Sequence, residues 1–466
     1  MQHISTRGQA PTLSFCDALL AGLARDGGLY IPQSIPQLTR EQMIKMAGQS
    51  YVDVAQQVLT PFVDGEIGVS DFRGMLERAY GAFRHPSVCP LVQIDDNLFV
   101  LEVFHGPTLA FKDIAMRLLG QLMDYVLKQR GQRATIVGAT SGDTGSAAID
   151  AFMGLDQVDV FILYPHGRVS EVQRRQMTTA SAPNVHALAL EGTFDDAQAL
   201  VKGMFNHHEF RDKVGLSGVN SINWGRIAAQ IVYYVTSAVS LGAPHRPVSF
   251  AVPTGNFGDV LAGYFAQQMG LPVSNFCIAT NQNDILVRTL QTGTYEVTGV
   301  NATVSPSMDI QVSSNFERLL FASYGFDAGK IRELMASLNQ SKRFTIDEAP
   351  LAKIRAGFSA EAVDEAQTLD EISRTYHQAG YILDPHTAVG SVAARRRLKV
   401  DAHTPQIVIG TAHPAKFPDA VEKAIGLRPK LPEHMANLYE RKEHFSIIAN
   451  DQSAVEQFIS ARVRGG

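Results

Sequence analysis

One lysine stands out for its setting. In His105-Gly106-Pro107-Thr108-Leu109-Ala110-Phe111-Lys112-Asp113 a glycine-proline turn leads straight into Lys112, which opens an amphipathic run from Ile114 to Leu127. An amine held at the start of a helix, inside a cleft, can form a Schiff base. Desolvation makes it a better nucleophile by lowering its pKa. The same local pattern would suit a lysine that snorkels at a helix N-terminus, so other parts of the chain must decide.

Three loops elsewhere have matching form. Thr140-Ser141-Gly142-Asp143-Thr144-Gly145-Ser146 follows the apolar run Ala134 to Val137 and precedes Ala147 to Phe152. Pro253 to Asp259 lies in the same way between Val248 to Val252 and Val260 to Gln268, and Gly410-Thr411-Ala412-His413-Pro414 follows Gln406 to Ile409. Loops at strand C-termini, together with a lysine at a turn, suit a cofactor bound at the open ends of a parallel sheet. Gly255-Asn256-Phe257-Gly258 can present backbone N–H groups at a helix N-terminus, a ready phosphate site. It has no P-loop lysine, and no GxGxxG follows a strand, which argues against nucleoside triphosphates and dinucleotides. The Thr140 loop could bind a carboxylate; Asp143 would repel one and makes sense only against a donor, unless it is simply a helix cap. Arg226, in Asn220-Ser221-Ile222-Asn223-Trp224-Gly225-Arg226, would clamp a phosphate with a planar, permanently charged fork. A surface arginine beside a capping asparagine is the plainer alternative.

The elements that must hold these residues can be read from pattern. Strands are expected at 134–138, 158–164, 185–190, 216–220, 248–252, 275–280 and 405–410, with helices after most of them, which argues for an α/β protein with parallel sheets. Before residue 95 the pattern is mainly helical: Ser14 to Ala24, Thr39 to Leu59 and Ser70 to Phe83. A hairpin then turns at Asp95-Asp96-Asn97. Residues 1–95 are therefore expected to form a mainly helical N-terminal domain, and 96–466 a catalytic region. From 284 to 400 the chain reads as mostly helical. Arg395-Arg396-Arg397 reads as a solvated helix C-terminus, and Leu431 to Gly466 as a packed helix and a frayed tail.

Composition narrows the class. With 466 residues, two or three domains are expected. Hydrophobic content of 45% and charged content of 19% fit a globular enzyme. A net charge of −5 gives no nucleic-acid surface. Cys16, Cys89 and Cys277 are far apart with no metal-ligand spacing, so no metal is expected and reduced thiols in a cytoplasmic protein are the simplest reading. Residues 1–8 have no apolar core and do not read as a signal peptide. The apolar run Ile227 to Leu241 is too short to span a bilayer and reads as a buried helix, so no membrane partner is expected.

Taken in order, Phe111-Lys112-Asp113, Ser141-Gly142-Asp143-Thr144-Gly145, Asn220 to Arg226, Thr254 to Gly258 and Gly410 to Pro414 resemble the threonine synthases. These are fold-type II enzymes of pyridoxal 5'-phosphate. Ala18 to Tyr30, Ser307 to Ile310, Ser314 to Leu320 and Asp384 to Gly390 look like further segments of that family, so the likeness extends to about residue 450. It implies two parallel-sheet domains flanking a cofactor cleft, with an N-terminal mainly helical domain. It implies Lys112 as the Schiff-base lysine and Gly255, Asn256, Phe257 and Gly258 around the cofactor phosphate. Asp143 would lie near the cofactor's 3-hydroxyl, where many fold-type II enzymes have asparagine, and Thr411 would face the ring nitrogen. Asn220, Ser221 and Arg226 would hold the substrate's phosphate, with Thr140, Ser141 and Thr144 around its carboxylate. The implied reaction turns O-phospho-L-homoserine and water into L-threonine and phosphate, in a cytoplasmic monomer or homodimer. A different fold-type II lyase, or a paralogue that binds without turnover, would share much of this pattern. The phosphate-clamping Arg226 argues against a simple dehydratase, and Lys112 against a non-catalytic paralogue.

Overall fold

The apolar runs form two sheets, and each contributes loops to one cleft. The structure, a computed structural model, describes residues 1–464. The first sheet has five parallel strands in the order Ser446–Ala449, Val185–Glu191, Val158–Pro165, Ala134–Ala139, Leu216–Ser217. The second has six, in the order Phe358–Ala362, Val273–Thr280, Val248–Pro253, Gln406–Gly410, Leu98–Glu102, Leu91–Asp95. Its pairs are parallel except the last, the hairpin through Asp95-Asp96-Asn97. Val158–Pro165, Val248–Pro253 and Gln406–Gly410 are buried at every residue. Strands covered on both faces read as continuous apolar runs rather than alternating ones, which is how the sequence shows them.

Helices close both faces. Trp224–Ser240, rich in Ile, Val, Ala and Tyr, is buried along nearly its whole length and packs against Lys112–Arg130 and Gly258–Gln268. The N-terminal helices brace the same pair: Tyr51–Val63 packs on Trp224–Ser240, and Val69–Tyr80 on Lys112–Arg130. Val54, Val58, Phe62, Phe72, Met75 and Leu76 thus share one continuous core with Leu119, Ile227 and Ile231. The helix that begins with Lys112 and the helix that carries Arg226 are held from behind by the first 80 residues.

Several expected elements differ. Thr39 to Leu59 is two helices, Arg40–Met46 and Tyr51–Val63. Gly48, at φ +76°, takes a conformation only glycine adopts freely, and the Ser50 hydroxyl caps the second helix at Asp53 N–H. The strand expected at 216–220 stops at Ser217, because the chain leaves the sheet for a turn in which Asn223 N–H donates to Asn220 O. Phe358–Ala362 is a parallel edge strand within the region that reads as helical. Only Phe358 of it is buried, so backbone pairing with Val273–Thr280 defines it rather than side-chain pattern. Arg395 is not solvated; it is buried and bonded to Glu371 and Asp95. The C-terminal segment also does more than expected. Ser446–Ala449 adds a strand to the five-stranded sheet, and Arg464 reaches back to Asp159 through its backbone N–H at 2.9 Å and its Nε at 2.5 Å. The last two glycines of the expected tail lie outside the described residues. The three cysteines are buried and unpaired. Among the described residues no helix is long and apolar enough to cross a membrane.

Candidate active site

Lys112 is the first residue of the helix Lys112–Arg130. The loop before it is laced to the loop after Gln406–Gly410: Phe111 N–H donates to Thr411 O at 2.8 Å, and His413 N–H to Leu109 O at 3.0 Å. Leu109, at φ +62°, bends the loop so that both bonds form. The Lys112 side chain points toward Asp143, first residue of the helix Asp143–Phe152, with Nζ 3.5 Å from Oδ2. Burial pushes the amine below the ordinary lysine range. Asp143 works against this, while Lys416 and Arg226 add to it. Burial alone would raise the Asp143 carboxyl; Lys416 and Lys112 on either side instead hold it far below the usual carboxylate range. The donor that Asp143 needs is therefore present, in the form of two lysines and Gln173.

The Thr140 loop is organised from within. Thr140 Oγ1 accepts the N–H groups of Gly142 and Gly145, each at 2.9 Å. The hydroxyls of Ser141 and Thr144, both partly exposed, have no protein partner among the described residues.

The glycine loop faces the cleft from the other sheet. Its carbonyls are tied back: Ser313 Oγ donates to Gly255 O at 2.6 Å, and Asn315 Nδ2 donates to Asn256 O at 3.1 Å. The N–H groups of Gly255, Asn256, Phe257 and Gly258 have no protein acceptor among the described residues. Phe257, at φ +65°, sits just before the helix Gly258–Gln268, so this row of free donors lies at the positive end of a helix dipole. Such a donor set fits a phosphate.

A second anion-ready group lies beside it. Arg226 is 3% exposed; Nη1 donates to Val219 O at 3.2 Å, and Nε is buried without a partner among the described residues. Burial, with no carboxylate partner among those residues, pushes the guanidinium down to about 10. Asn315 Nδ2 also donates to Ser221 O at 3.1 Å, so one buried amide ties the Asn220–Ser221 turn to the glycine loop. Asn220 itself is exposed and Ser221 half-buried. Thr411 is buried; its carbonyl serves Phe111, and its N–H donates to Thr387 Oγ1 at 3.2 Å.

The residues singled out from sequence thus lie either in loops at strand ends or in the first turn of the helices that follow. Lys112, Asp143, Thr144, Arg226 and Gly258 open helices, and the rest precede them or, like Thr411, follow a strand, with Thr140 turning its oxygen to its own backbone. Lys416, Gln173, Gln176 and Asn315 join these residues although none stands out among the sequence motifs. Lys416 lies only two residues beyond the Gly410 to Pro414 motif. A lysine between Ala415 and Phe417 is the kind of charge that burial has to pair, and that was the available signal. The two glutamines and Asn315 carry no local signal.

Comparisons with known proteins agree with the geometry. Residues 2–80 match the family described as threonine synthase N terminus, 86–410 that of pyridoxal-phosphate dependent enzymes, and 387–459 that of threonine synthase, C-terminal. The chain is 51% identical to the threonine synthase of Pseudomonas aeruginosa, over 99% of this chain and 98% of that one. It superposes on the crystal structure of pyridoxal-phosphate-bound threonine synthase from Brucella melitensis with a TM-score of 0.97, at 60% identity over the whole of both chains. On the yeast enzyme the TM-score is 0.93, at 40% identity over 99% of this chain and 98% of that one. With its free phosphate donors, buried lysine and two-sheet cleft, the chain belongs to the threonine synthase family of pyridoxal-phosphate-dependent enzymes.

Proposed function

We propose that this enzyme converts O-phospho-L-homoserine and water to L-threonine and phosphate. The observation that carries this is the presence of two separate phosphate-ready groups in one cleft: the free N–H row of Gly255 to Gly258, and the underbonded, buried Arg226. One suits the cofactor's phosphate and the other a substrate's. Lys112 would hold the cofactor's aldehyde carbon, Asp143 would face its phenolic oxygen, and Thr411 would offer a hydroxyl to its ring nitrogen. When bound, pyridoxal phosphate supplies the electron sink for bond breaking next to the substrate nitrogen.

The chain's residues do the rest. Lys112, its amine shifted toward the neutral form by burial, can take the Cα proton and return protons to neighbouring carbons. Arg226, with the Asn220–Ser221 turn, holds the phosphate that leaves Cγ and meets the charge that grows there. Ser141 and Thr144, with the N–H groups of the Thr140 loop, fix the substrate carboxylate and so the face that water meets at Cβ. A neutral hydroxyl such as that of Thr411 does not force a full charge onto the ring nitrogen, which tempers delocalisation and helps select among competing paths.

A mainly helical N-terminal domain gives way near residue 95 to the catalytic region, whose six-stranded sheet already takes in Leu91–Asp95. The setting is cytoplasmic, a reading supported by the three buried free thiols. The assembly is a monomer or homodimer, which sedimentation measures. A substrate panel tests the activity. Release of phosphate with formation of threonine from O-phosphohomoserine is expected. Preferential turnover of threonine or O-phosphoserine would reassign the enzyme to another lyase class.

A further inference from the structure

A second lysine shares the carboxylate that Lys112 faces. Lys416 is fully buried, in the turn Pro414–Lys416. Its ammonium has three acceptors: Asp143 Oδ1 at 2.8 Å, Thr108 O at 2.7 Å and Gln176 Oε1 at 3.0 Å. Three N–H bonds meet three acceptors, so this group has no proton left to offer a ligand. Asp143 Oδ1 also accepts Gln173 Nε2 at 2.9 Å. That oxygen is fully engaged, and Oδ2 is left as the face turned to Lys112 Nζ, 3.5 Å away.

We infer that Lys416 is a positioning residue: it fixes Asp143 as a carboxylate with Oδ2 aimed at the Lys112 nitrogen, and its own charge, held at the far oxygen, opposes a second positive charge on that nitrogen. The inference rests on the reading of Lys112 as the cofactor-bearing amine. Two cations and one anion surround Lys112: Lys416 and Arg226 disfavour its protonated form, and Asp143 favours it. The Phe111 ring lies 5.6 Å from Nζ. Asp113, the next acid, is occupied elsewhere. Its carboxylate takes the Thr108 N–H at 2.7 Å and hydroxyl at 2.6 Å, and burial pushes it up to about 7. Without Lys416, Asp143 would have a single cation to pair with, and that cation is protonated Lys112. A lysine that merely stapled the Thr108 loop to the Pro414 turn would have no effect on that proton.

The test is a pH titration of the bound-cofactor absorbance in the holoenzyme. Wild type is compared with K416M, K416Q and K416R. A charge removed from the far side of the same carboxylate, through an effective dielectric near 20, is worth about 2 kcal/mol, so the midpoint is expected to rise by about 1.5 pH units in K416M. K416Q retains donors for Thr108 O but no charge; it should move the same way and serves if K416M does not fold. K416R keeps the charge and should stay within about 0.3 units of wild type, even where its bulk lowers turnover. An unmoved midpoint in both charge-free variants, with cofactor bound, would overturn the inference and leave Lys416 a staple. Borohydride reduction and peptide mapping of the wild type separates this from failure of the underlying reading. Label at Lys112 is expected; label at Lys416 would reverse the two roles.

Discussion

Loss of Arg226 should move stability and catalysis in opposite directions. Among the described residues its guanidinium is buried with one protein hydrogen bond and an unpartnered Nε, and no carboxylate neutralises it. A depression to about 10 from the ordinary 12.5 corresponds to roughly 3 kcal/mol of uncompensated charge burial. The sign is fixed by the direction. A base depressed on folding carries this penalty in full at every pH below its folded value, and sheds it only above the unfolded one. At neutral pH the penalty is complete. R226M, which keeps the length and removes the charge, should therefore raise the Tm of the substrate-free enzyme by a few °C. It should also remove a charge-assisted contact to the departing phosphate. Truncating such a partner costs about 2–5 kcal/mol, or about 30-fold to several thousand-fold in kcat/KM. Bound-cofactor absorbance should be unchanged. Inorganic phosphate should raise the Tm of wild type with concentration, and that of R226M much less. A lower Tm, with kcat/KM within roughly threefold of wild type, would refute this reasoning and make Arg226 a packing residue for Val219 O.

The two glycines at the ends of the phosphate loop should behave differently. A Cβ on Gly255 would sit 2.6 Å from Ser307 O, so G255A should lower the Tm of cofactor-free protein. On Gly258 the nearest atoms are at 3.4 to 3.9 Å, so G258A should fold normally, and only its cofactor affinity, read by absorbance titration, should fall. Asn315, fully buried, donates to both Ser221 O and Asn256 O. N315A should raise the cofactor Kd and the substrate KM together, because it removes one side-chain hydrogen bond from each loop, worth about 0.5–1.5 kcal/mol apiece, and leaves Asn256 O only the backbone N–H of residue 315. A rise in only one would argue against a shared clamp. His3 is fully buried against Phe15 and Trp224, and burial, with the N-terminal charge, holds its imidazole down to about 4. Its contribution to stability is complete above the ordinary 6.5. It is lost as pH falls toward 4, by up to roughly 3 kcal/mol. H3F should flatten the acid limb of a Tm-against-pH curve, leaving the part due to His413, which burial likewise holds to about 4.

Residues whose role is set by their own backbone neighbourhood were legible in the sequence. The Gly255 loop and the Lys112 turn announce themselves because a free N–H row and a helix-start amine are local facts. The buried strands did so because continuous apolar runs have a single explanation in an α/β chain. Phe358–Ala362 was not legible: its strand character comes from Val273–Thr280 beside it. The charged residues followed the same rule. Arg395 reads as solvated until Glu371 and Asp95 arrive from distant segments to bury it.

The site shows the rule at its sharpest. Asp143 is an anomaly in an anion-binding loop when taken alone. Its explanation needs Lys416 from the turn beyond the strand Gln406–Gly410, Gln173 from the helix Glu171–Thr178, and Lys112 from the start of Lys112–Arg130. That helix is itself held by Glu443, which accepts from Arg174 and Thr178. The segment after Leu431, which read as a helix and a tail, thus connects to Asp143 through the helix that carries Gln173. Substitutions at Glu443 should then act on cofactor chemistry through Gln173 and Gln176 rather than on folding alone. In E443Q, a shift of the cofactor absorbance midpoint in the same direction as in K416M is the expected outcome. An unmoved midpoint with a lowered Tm would confine Glu443 to holding the helix.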